Sequence, residues 1–279
     1  MHINARLGFM QGRLSSLIDG KIQSFPWDSW QKEFPAAQKL GLRLMEWTLD
    51  QDRLYENPLL TPHGQQQIRR LCRDYSLSIP SLTGDCFMQA PFWKAREQER
   101  KALETDFIAI ARACAEIDIE MIVVPLVDNG RLENQQHEDV LLAFLRAQAN
   151  LFCTLGLRII FESDFIPGEL ARFIGTLPAD IFGVNYDIGN SAALGYTPEE
   201  EFAAYSHRIV NVHVKDRVLG GTTVPLGTGN ADLPKIFRLL RASSYGGSLI
   251  MQTARAKDGD HEGALRQYMG QIEAWAKDF

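Results

Sequence analysis

Short apolar runs alternate with longer amphipathic segments along the whole chain. The apolar runs are candidate strands, and they end near Phe9, Glu46, Leu82, Pro125, Glu162, Asp187, His213 and Gln252. Eight such units in 279 residues give about 35 residues per unit, which is the size of one strand followed by one helix. Because strands that alternate with helices pair in parallel, the pattern predicts a parallel sheet covered by helices.

Three of the apolar runs, residues 121–125, 157–161 and 248–251, are continuous rather than alternating, which is typical of strands buried on both faces. No Pro/Gly/Ser-rich linker or break in composition divides the chain. We therefore predict an α/β fold, a (β/α)8 TIM barrel, that forms a single domain over residues 1–279. A doubly wound open sheet is the competing fold, but no G-x-G-x-x-G follows the first strand.

Residues that cap helices precede several of the amphipathic segments. Thr61 followed by Pro62 predicts a helix that begins at Pro62, and Asp232 predicts a helix that begins just after it. Asp28 is likewise interpreted as the cap of a helix that ends at Gly41.

The overall composition restricts the function classes. A formal net charge of -6 and the absence of a long basic run argue against binding to nucleic acid or to an anionic membrane surface. No apolar segment reaches about 18 residues, no signal peptide is recognised, and the four cysteines form no C-x-x-C pair. We expect a cytoplasmic enzyme with reduced thiols, and the sequence leaves a homo-oligomer open.

Polar residues stand at the ends of the last four candidate strands, which are neighbours in a barrel. They are Glu162, Asp187, His213 and Gln252. Taken singly, Asp187 could cap a turn and His213 could be a core histidine. Their shared location changes the interpretation, because several charged groups buried at one end of a barrel must be paired or bind a metal. Two carboxylates, an imidazole and an amide oxygen suit a divalent cation.

At these residues the chain resembles the sugar phosphate isomerase/epimerase superfamily of xylose isomerase-like TIM barrels. The resemblance covers nearly the whole chain; four segments carry it most strongly, and a fifth, residues 245–252, matches the last strand of the family. The four are Phe161-Glu162, Asp187-Ile188-Gly189-Asn190, residues 209–216 with His213-x-Lys215-Asp216, and residues 224–229 with Gly227-x-Gly229. L-ribulose-5-phosphate 3-epimerases and tagatose 3-epimerase relatives share this layout.

The resemblance implies a divalent metal, Mn, Mg, Co or Zn, held by Glu162, Asp187, His213 and Gln252. In such enzymes two glutamates also serve as the catalytic acid/base pair, and these positions correspond to Glu162 and Gln252. Gln252 departs from the pattern, because an amide cannot act as a general base at neutral pH. This favours an aldose–ketose isomerase with Glu162 as the base. An epimerase stays open, since Glu46, Asp85 or Asp216 could supply a second acid.

Further residues near the strand ends are candidate contacts for the substrate, a small sugar or sugar phosphate. By resemblance Asn190 contacts the substrate, and basic side chains after strands seven and eight stand where barrels often bind phosphate. The competing interpretation is that these basic side chains are solvated charges on loops. The full candidate set is Arg13, Glu46, Asp85, Asn190, Lys215, Asp216, Arg217 and Arg255.

Three other functions compete. AP endonuclease relatives share the fold, but their three-metal site needs many histidines, and only His213 of the six in this chain ends a strand. A metal-dependent dehydratase of the inosose kind begins with the same proton abstraction. The non-enzymatic alternative is a metal-free barrel that binds a sugar and has lost its catalytic pair through the glutamine at position 252.

Overall fold

The computed structural model describes residues 3–18 and 20–277, so residues 1, 2, 19, 278 and 279 of the predicted domain lie outside it. Eight parallel strands form its centre: β1 (Leu7–Met10), β2 (Leu44–Thr48), β3 (Ser78–Thr83), β4 (Met121–Leu126), β5 (Arg158–Ser163), β6 (Phe182–Asp187), β7 (Ile209–Val214) and β10 (Ser248–Met251). They close into a barrel in the order β1-β10-β7-β6-β5-β4-β3-β2. The predicted barrel is therefore confirmed, and the open sheet is excluded.

A short antiparallel hairpin follows β7, formed by β8 (Asp216–Arg217) and β9 (Thr223–Val224). The helices are α1 (Glu33–Leu40), α2 (Pro62–Tyr75), α3 (Asp85–Gln89), α4 (Glu97–Glu116), α5 (Gln135–Thr154), α6 (Pro167–Gly175), α7 (Ile188–Leu194), α8 (Pro198–Tyr205), α9 (Leu233–Ala242) and α10 (His261–Trp275). Within the described ranges, no helix combines the length and the apolar character needed to cross a membrane.

Two of the three predicted helix caps are confirmed. Thr61 accepts a hydrogen bond from the Gly64 N–H at 3.1 Å, and Asp232 accepts one from the Lys235 N–H at 3.1 Å. The cap at Asp28 is wrong, because α1 begins only at Glu33, after a 3-10 turn. The sequence around Pro35 gives the reason: a proline fits the first turn of a helix but clashes with the preceding turn further inside.

The barrel has two apolar cores, one between the strands and the helices and a smaller one inside the ring of strands. Alternate residues of the strands point outward and pack against the helices, as Phe161 of β5 does against Phe173 of α6, with ring centroids 5.3 Å apart. On the inward face of β5, Ile160 belongs to a small separate apolar cluster with Met121 and Val123. This cluster fills the interior below Glu162, which lies two residues further along the same face.

Polar side chains replace apolar ones in the upper interior of the barrel. Strand register pairs Glu46 with Ser81 and Asp187 with His213, so each pair points to the same side of the sheet. All four residues are buried. Since buried charges need partners, this layer is where a site is expected.

Candidate metal centre

Glu162, Asp187 and His213 end three neighbouring strands, and their ligand atoms lie within 4.8 Å of one another. The His213 Nδ1 atom is 3.2 Å from Glu162 Oε2 and 3.8 Å from Asp187 Oδ2. All three residues are buried. Two carboxylate oxygens and an imidazole nitrogen at this spacing form a donor set that fits a divalent cation such as Mn²⁺ or Zn²⁺.

Glu46 lies beneath this cluster and binds the other side of the His213 ring. Its Oε1 atom is 2.6 Å from His213 Nε2 and also accepts a hydrogen bond from Thr83, while Oε2 accepts bonds from Ser81 at 2.6 Å and Asn211 at 2.9 Å. The side chain has no exposed surface. The prediction that Glu46 contacts substrate or supplies the second acid is therefore wrong, because both oxygens are occupied inside the barrel.

The charges of Glu46 and His213 stabilise each other. Burial alone would raise the pKa of Glu46, but the adjacent imidazole outweighs it and holds the pKa of Glu46 below its usual value. Burial would likewise lower the pKa of His213, but Glu46, Asp187 and Glu162 together hold the pKa of His213 well above its usual range. An imidazole binds a cation through an unprotonated nitrogen, so protonation of Nδ1 and metal binding at Nδ1 exclude each other.

Asp187 performs two tasks with its two oxygens. Its Oδ1 atom accepts the Asn190 N–H at 2.8 Å and caps α7, as the turn-capping interpretation expects. Its Oδ2 atom faces the cluster and lies 3.0 Å from Lys215 Nζ. Burial raises the pKa of Asp187, but Lys215 and His213 outweigh burial, so the pKa of Asp187 lies below its usual value.

Gln252 joins the cluster through Lys215. The Lys215 ammonium group donates to Gln252 Oε1 at 2.9 Å, to Asp187 Oδ2 at 3.0 Å and to Asn190 Oδ1 at 3.3 Å. Three oxygen atoms therefore surround the Lys215 ammonium group, and one of them, Asp187 Oδ2, also belongs to the candidate ligand set. The Gln252 carbonyl oxygen is therefore linked to the cluster through the Lys215 ammonium group, and its role as a fourth ligand stays a prediction.

Asn190 links the carboxylates to the basic residues. Its amide nitrogen donates to Glu162 Oε1 at 2.5 Å, and its Oδ1 atom accepts a hydrogen bond from Arg217 Nη1 at 2.7 Å. The structure thus brings the predicted residues Asn190, Lys215 and Arg217 into one hydrogen-bonded group around the ligands.

Asp216 organises a loop instead of facing the substrate. Its Oδ2 atom accepts the backbone N–H groups of Gly227 and Gly229, both at 2.9 Å, and Oδ1 accepts that of Ala231 at 3.1 Å. A Cβ atom at Gly229 would lie 2.2 Å from Asp216 Oδ1, which explains the glycine. The predicted substrate contact and acid role of Asp216 are wrong, because it is fully buried under these donors.

Arg13 and Arg255 fasten the loop that follows β1. Arg13 donates to the carbonyls of Thr253 and Ile22, both at 2.9 Å, and Arg255 donates to the carbonyls of Gly12 and Ser15. Burial, together with the charge of Arg255, lowers the pKa of Arg13 to about 9. Four of the guanidinium donor groups are thus engaged by backbone oxygens, and Arg13 Nη2 donates to Gln23 Oε1, while Arg255 Nε has no hydrogen-bond partner in the described part of the chain. That these two residues bind an anion stays a prediction.

A cavity of about 960 Å³ opens between this loop, the β8–β9 hairpin and the loop after β10. Its lining carries charges of both signs: Arg255, Lys257, Asp258 and Asp260. None of the three clustered ligand residues lines this cavity; Ile22 in its wall precedes Gln23, which binds Gln252 at 2.9 Å.

Gln23 connects two predicted residues across the site and was not predicted itself. Its amide nitrogen donates to Asp85 Oδ2 at 2.7 Å, and its Oε1 atom accepts a hydrogen bond from Gln252 Nε2. Burial, assisted by Asp50 and Glu162, raises the pKa of Asp85 to about 7. Gln23 lies in an irregular loop, where no periodicity in the sequence indicates the direction of a side chain.

The barrel has counterparts among known proteins. A family model described as the xylose isomerase-like TIM barrel matches residues 34–275. An inosose dehydratase from Clostridium botulinum (strain Alaska E43 / Type E3) is 24% identical over 152 residues, which are 46% of this chain and 51% of the relative. The chain thus spans about half the length of this curated relative.

Solved structures share the barrel at low sequence identity. The IolI protein with a bound zinc atom superposes with a TM-score of 0.75 at 16% identity, covering 98% of this chain and 99% of that one. A D-psicose 3-epimerase in the presence of D-fructose gives 0.75 at 13% identity, with 97% and 99% covered. A 3-keto-D-glucoside 4-epimerase from E. coli gives 0.70 at 15%, with 96% and 99% covered.

Proposed function

The chain belongs to the xylose isomerase-like TIM barrel family, and from this premise we propose that it is a divalent-metal-dependent isomerase or epimerase. Its substrate is a small sugar or sugar phosphate, and its chemistry is proton transfer next to a carbonyl group. The observation that carries the proposal is the buried cluster of Glu162, Asp187 and His213 at the ends of β5, β6 and β7.

These three residues, with the Gln252 carbonyl oxygen as a fourth ligand, would hold the metal. A bound divalent ion polarises a substrate oxygen and stabilises the negative charge that develops when the neighbouring C–H bond breaks. For Gln252 to bind the ion, the Lys215 ammonium group must move away from the oxygen it now contacts at 2.9 Å.

Glu162 is the general base in this proposal. His213 would give its Nδ1 lone pair to the metal, Gln252 has no useful basicity, and one Asp187 oxygen caps α7. The amide of Asn190, 2.5 Å from Glu162 Oε1, holds the Glu162 carboxylate in place. Glu162 removes the proton from the carbon beside the carbonyl, the C–H electron pair forms the enediolate, and the proton returns to the neighbouring carbon.

A dehydratase is the second candidate, favoured by the similarity to an inosose dehydratase. Its first step is the same proton abstraction, but the enediolate then expels the hydroxyl group of the next carbon, which takes the proton held by Glu162 and leaves as water. Product analysis separates the two, because a dehydratase product is lighter than its substrate by one water. In a sugar-binding barrel without catalysis, neither exchange nor conversion would occur.

Exchange of solvent deuterium into sugars tests the proposal directly. The Mn²⁺-loaded protein is incubated in D₂O with D-fructose, D-tagatose, D-psicose and ketose phosphates, and carbon-bound deuterium is measured by NMR. Loss of a positioned base costs roughly 10²–10⁴-fold in rate, so Glu162→Gln should reduce exchange by that factor. Glu200→Gln, an exposed change on α8, is the matched control. Undiminished exchange in Glu162→Gln would assign the base to another residue.

A further inference from the structure

Asp85 stands at the C-terminal end of β3 with one oxygen held and the other available. It is 8% exposed, and its Oδ2 atom accepts the Gln23 amide at 2.7 Å. Its Oδ1 atom accepts no hydrogen bond from the described part of the chain. An acid or base that reacts with a substrate needs this combination of a fixed carboxyl group and a free oxygen.

The contacts of Gln23 place Asp85 at the mouth of the barrel. Gln23 binds Asp85, which follows β3, and Gln252, which follows β10. Two strands, β1 and β2, separate β10 from β3 around the barrel, so a side chain that reaches both spans part of the mouth. Glu162 ends β5, two strands from β3 on the other side. Asp85 therefore borders the space that Glu162 and Gln252 face.

We propose that Asp85 is the second proton-transfer residue of this site, taking over the task that Gln252 cannot perform, and that Gln23 positions it. The inference rests on the proposed function and deepens it. Moving a carbonyl group between two carbons requires two kinds of proton transfer, one at carbon and one at oxygen. Glu162 transfers protons at the two carbons, and Asp85 transfers protons at the two oxygens.

The proton balance closes with these two residues. Glu162 takes the proton of the C–H bond, whose electron pair forms the C=C bond, while the carbonyl electron pair takes a proton from the Asp85 carboxyl group. The result is an enediol with Glu162 protonated and Asp85 ionised. Asp85 then removes the proton of the second hydroxyl group as the new carbonyl forms, and Glu162 returns its proton to the other carbon. Both residues regain their starting states.

The electrostatic surroundings suit this exchange. Burial raises the pKa of Asp85 to about 7, and the negative charges of Asp50 and Glu162 act in the same direction. The hydrogen bond from Gln23 and the charge of Lys215 act against them. A group whose pKa lies close to the working pH is both an effective donor and an effective acceptor.

Asp85→Asn tests the catalytic role. In the Mn²⁺-loaded protein with the same ketoses and ketose phosphates, product formation should fall roughly 10²–10⁴-fold while the bound metal is unchanged. Asp52→Asn, an exposed change in the loop after β2, is the control and should convert sugars at the wild-type rate. Wild-type conversion by Asp85→Asn would overturn the role of Asp85 and leave the proposed function intact. A wild-type protein that converts none of the sugars would overturn both.

The pH profile distinguishes proton transfer from a merely structural role. The pH–rate profile of the wild-type protein should have a limb, a change of rate with pH, that is centred near pH 7 and is missing from the profile of Asp85→Asn. Gln23→Leu removes the hydrogen bond that lowers the pKa of Asp85, so its limb should move to higher pH. This second variant also serves if Asp85→Asn does not fold. A limb at the same pH in Gln23→Leu would show that Gln23 does not position the titrating group.

Discussion

His213 Nε2 lies 2.6 Å from Glu46 Oε1, and neither side chain has any exposed surface. The opposite ring nitrogen, Nδ1, faces Glu162 and Asp187. A carboxylate on one ring nitrogen fixes the orientation of the imidazole and makes the other nitrogen a better ligand. Glu46 therefore orients the His213 ring and strengthens it as a ligand of the candidate metal centre.

We predict that Glu46→Gln weakens metal binding by about 10–100-fold, the usual cost of changing a partner behind a metal-binding histidine. The glutamine keeps the shape and an acceptor oxygen but removes the charge that supports the ring. Calorimetric titration with Mn²⁺ measures the change, and Glu56→Gln on the exposed surface is the control. Equal affinities for Glu46→Gln and the wild-type protein would place the metal away from His213.

The sequence predicts the three clustered ligands because barrels collect the ends of neighbouring strands. Asp187 is the last residue of β6, and Glu162 and His213 are each the last but one of their strands. The same rule predicts that Glu46 lies at the mouth of the barrel, but β2 continues for two residues beyond it to Thr48. Glu46 therefore lies one layer deeper in the barrel. At that depth it contacts His213 instead of a substrate.

Contacts between distant loops carry no comparable signal. Arg13 binds the Thr253 carbonyl across 240 positions of the chain, and Arg255 binds the Gly12 carbonyl across 243. A charged residue near a strand end looks the same in the sequence whether it meets a substrate or a backbone oxygen. Only the closed barrel, which brings β1 beside β10, decides between these outcomes.

Glu201 of α8 anchors the segment that carries Asp187. Its carboxylate accepts hydrogen bonds from the hydroxyl groups of Tyr186 at 2.8 Å, Ser191 at 2.6 Å and Tyr205 at 2.7 Å. Glu201→Leu keeps a similar volume but leaves these donors without their acceptor. Since a buried donor without a partner costs roughly 1–3 kcal/mol, we expect the variant to lose about 3 kcal/mol of unfolding free energy.

Urea unfolding measures this loss. Glu200→Leu, at the exposed neighbouring position, should change stability little. Glu201→Gln should retain most of the stability, because hydroxyl groups can turn to donate to one amide oxygen and accept from the amide nitrogen. If Glu201→Leu is as stable as Glu200→Leu, the three hydrogen bonds do not stabilise the fold.

Glu33 gives the fold a pH dependence. It accepts the N–H groups of Gly12 and Leu14, both at 2.9 Å, yet burial outweighs these bonds and raises the pKa of Glu33 from 4.5 to about 7. Between these two values the folded protein binds more protons at Glu33 than the unfolded chain. The contribution of Glu33 to stability is therefore full below about pH 4.5 and is lost as the pH rises to about 7.

Glu33→Gln should flatten this dependence, which amounts to on the order of 3 kcal/mol across the window. The amide also gives up one acceptor, which lowers stability by an amount that does not change with pH. Urea unfolding of both proteins at several pH values isolates the slope, because Asp85 and all other groups contribute equally to each. Parallel curves for the two proteins would contradict the raised pKa of Glu33.

Gln252→Glu introduces a carboxylate at the proposed fourth ligand position. In the wild-type protein, Gln252 Nε2 donates to Gln23 Oε1 at 2.9 Å. A carboxylate oxygen there would face another acceptor, so Gln23 must turn its amide and present its oxygen to Asp85. A protonated Asp85 can then donate to Gln23, which means that a carboxylate at position 252 keeps Asp85 in its acid form.

We expect two consequences of Gln252→Glu. The added negative charge should strengthen Mn²⁺ binding roughly tenfold, because more charged ligands bind hard cations more tightly. The second carboxylate should also serve as a base on the face opposite Glu162, so epimers of D-fructose or D-tagatose should appear in NMR spectra of the reaction. Gln252→Leu, which removes the ligand oxygen, should weaken metal binding and form no epimer. If Gln252→Glu forms epimers no faster than the wild-type protein, the amide at position 252 does not determine which reaction the site performs.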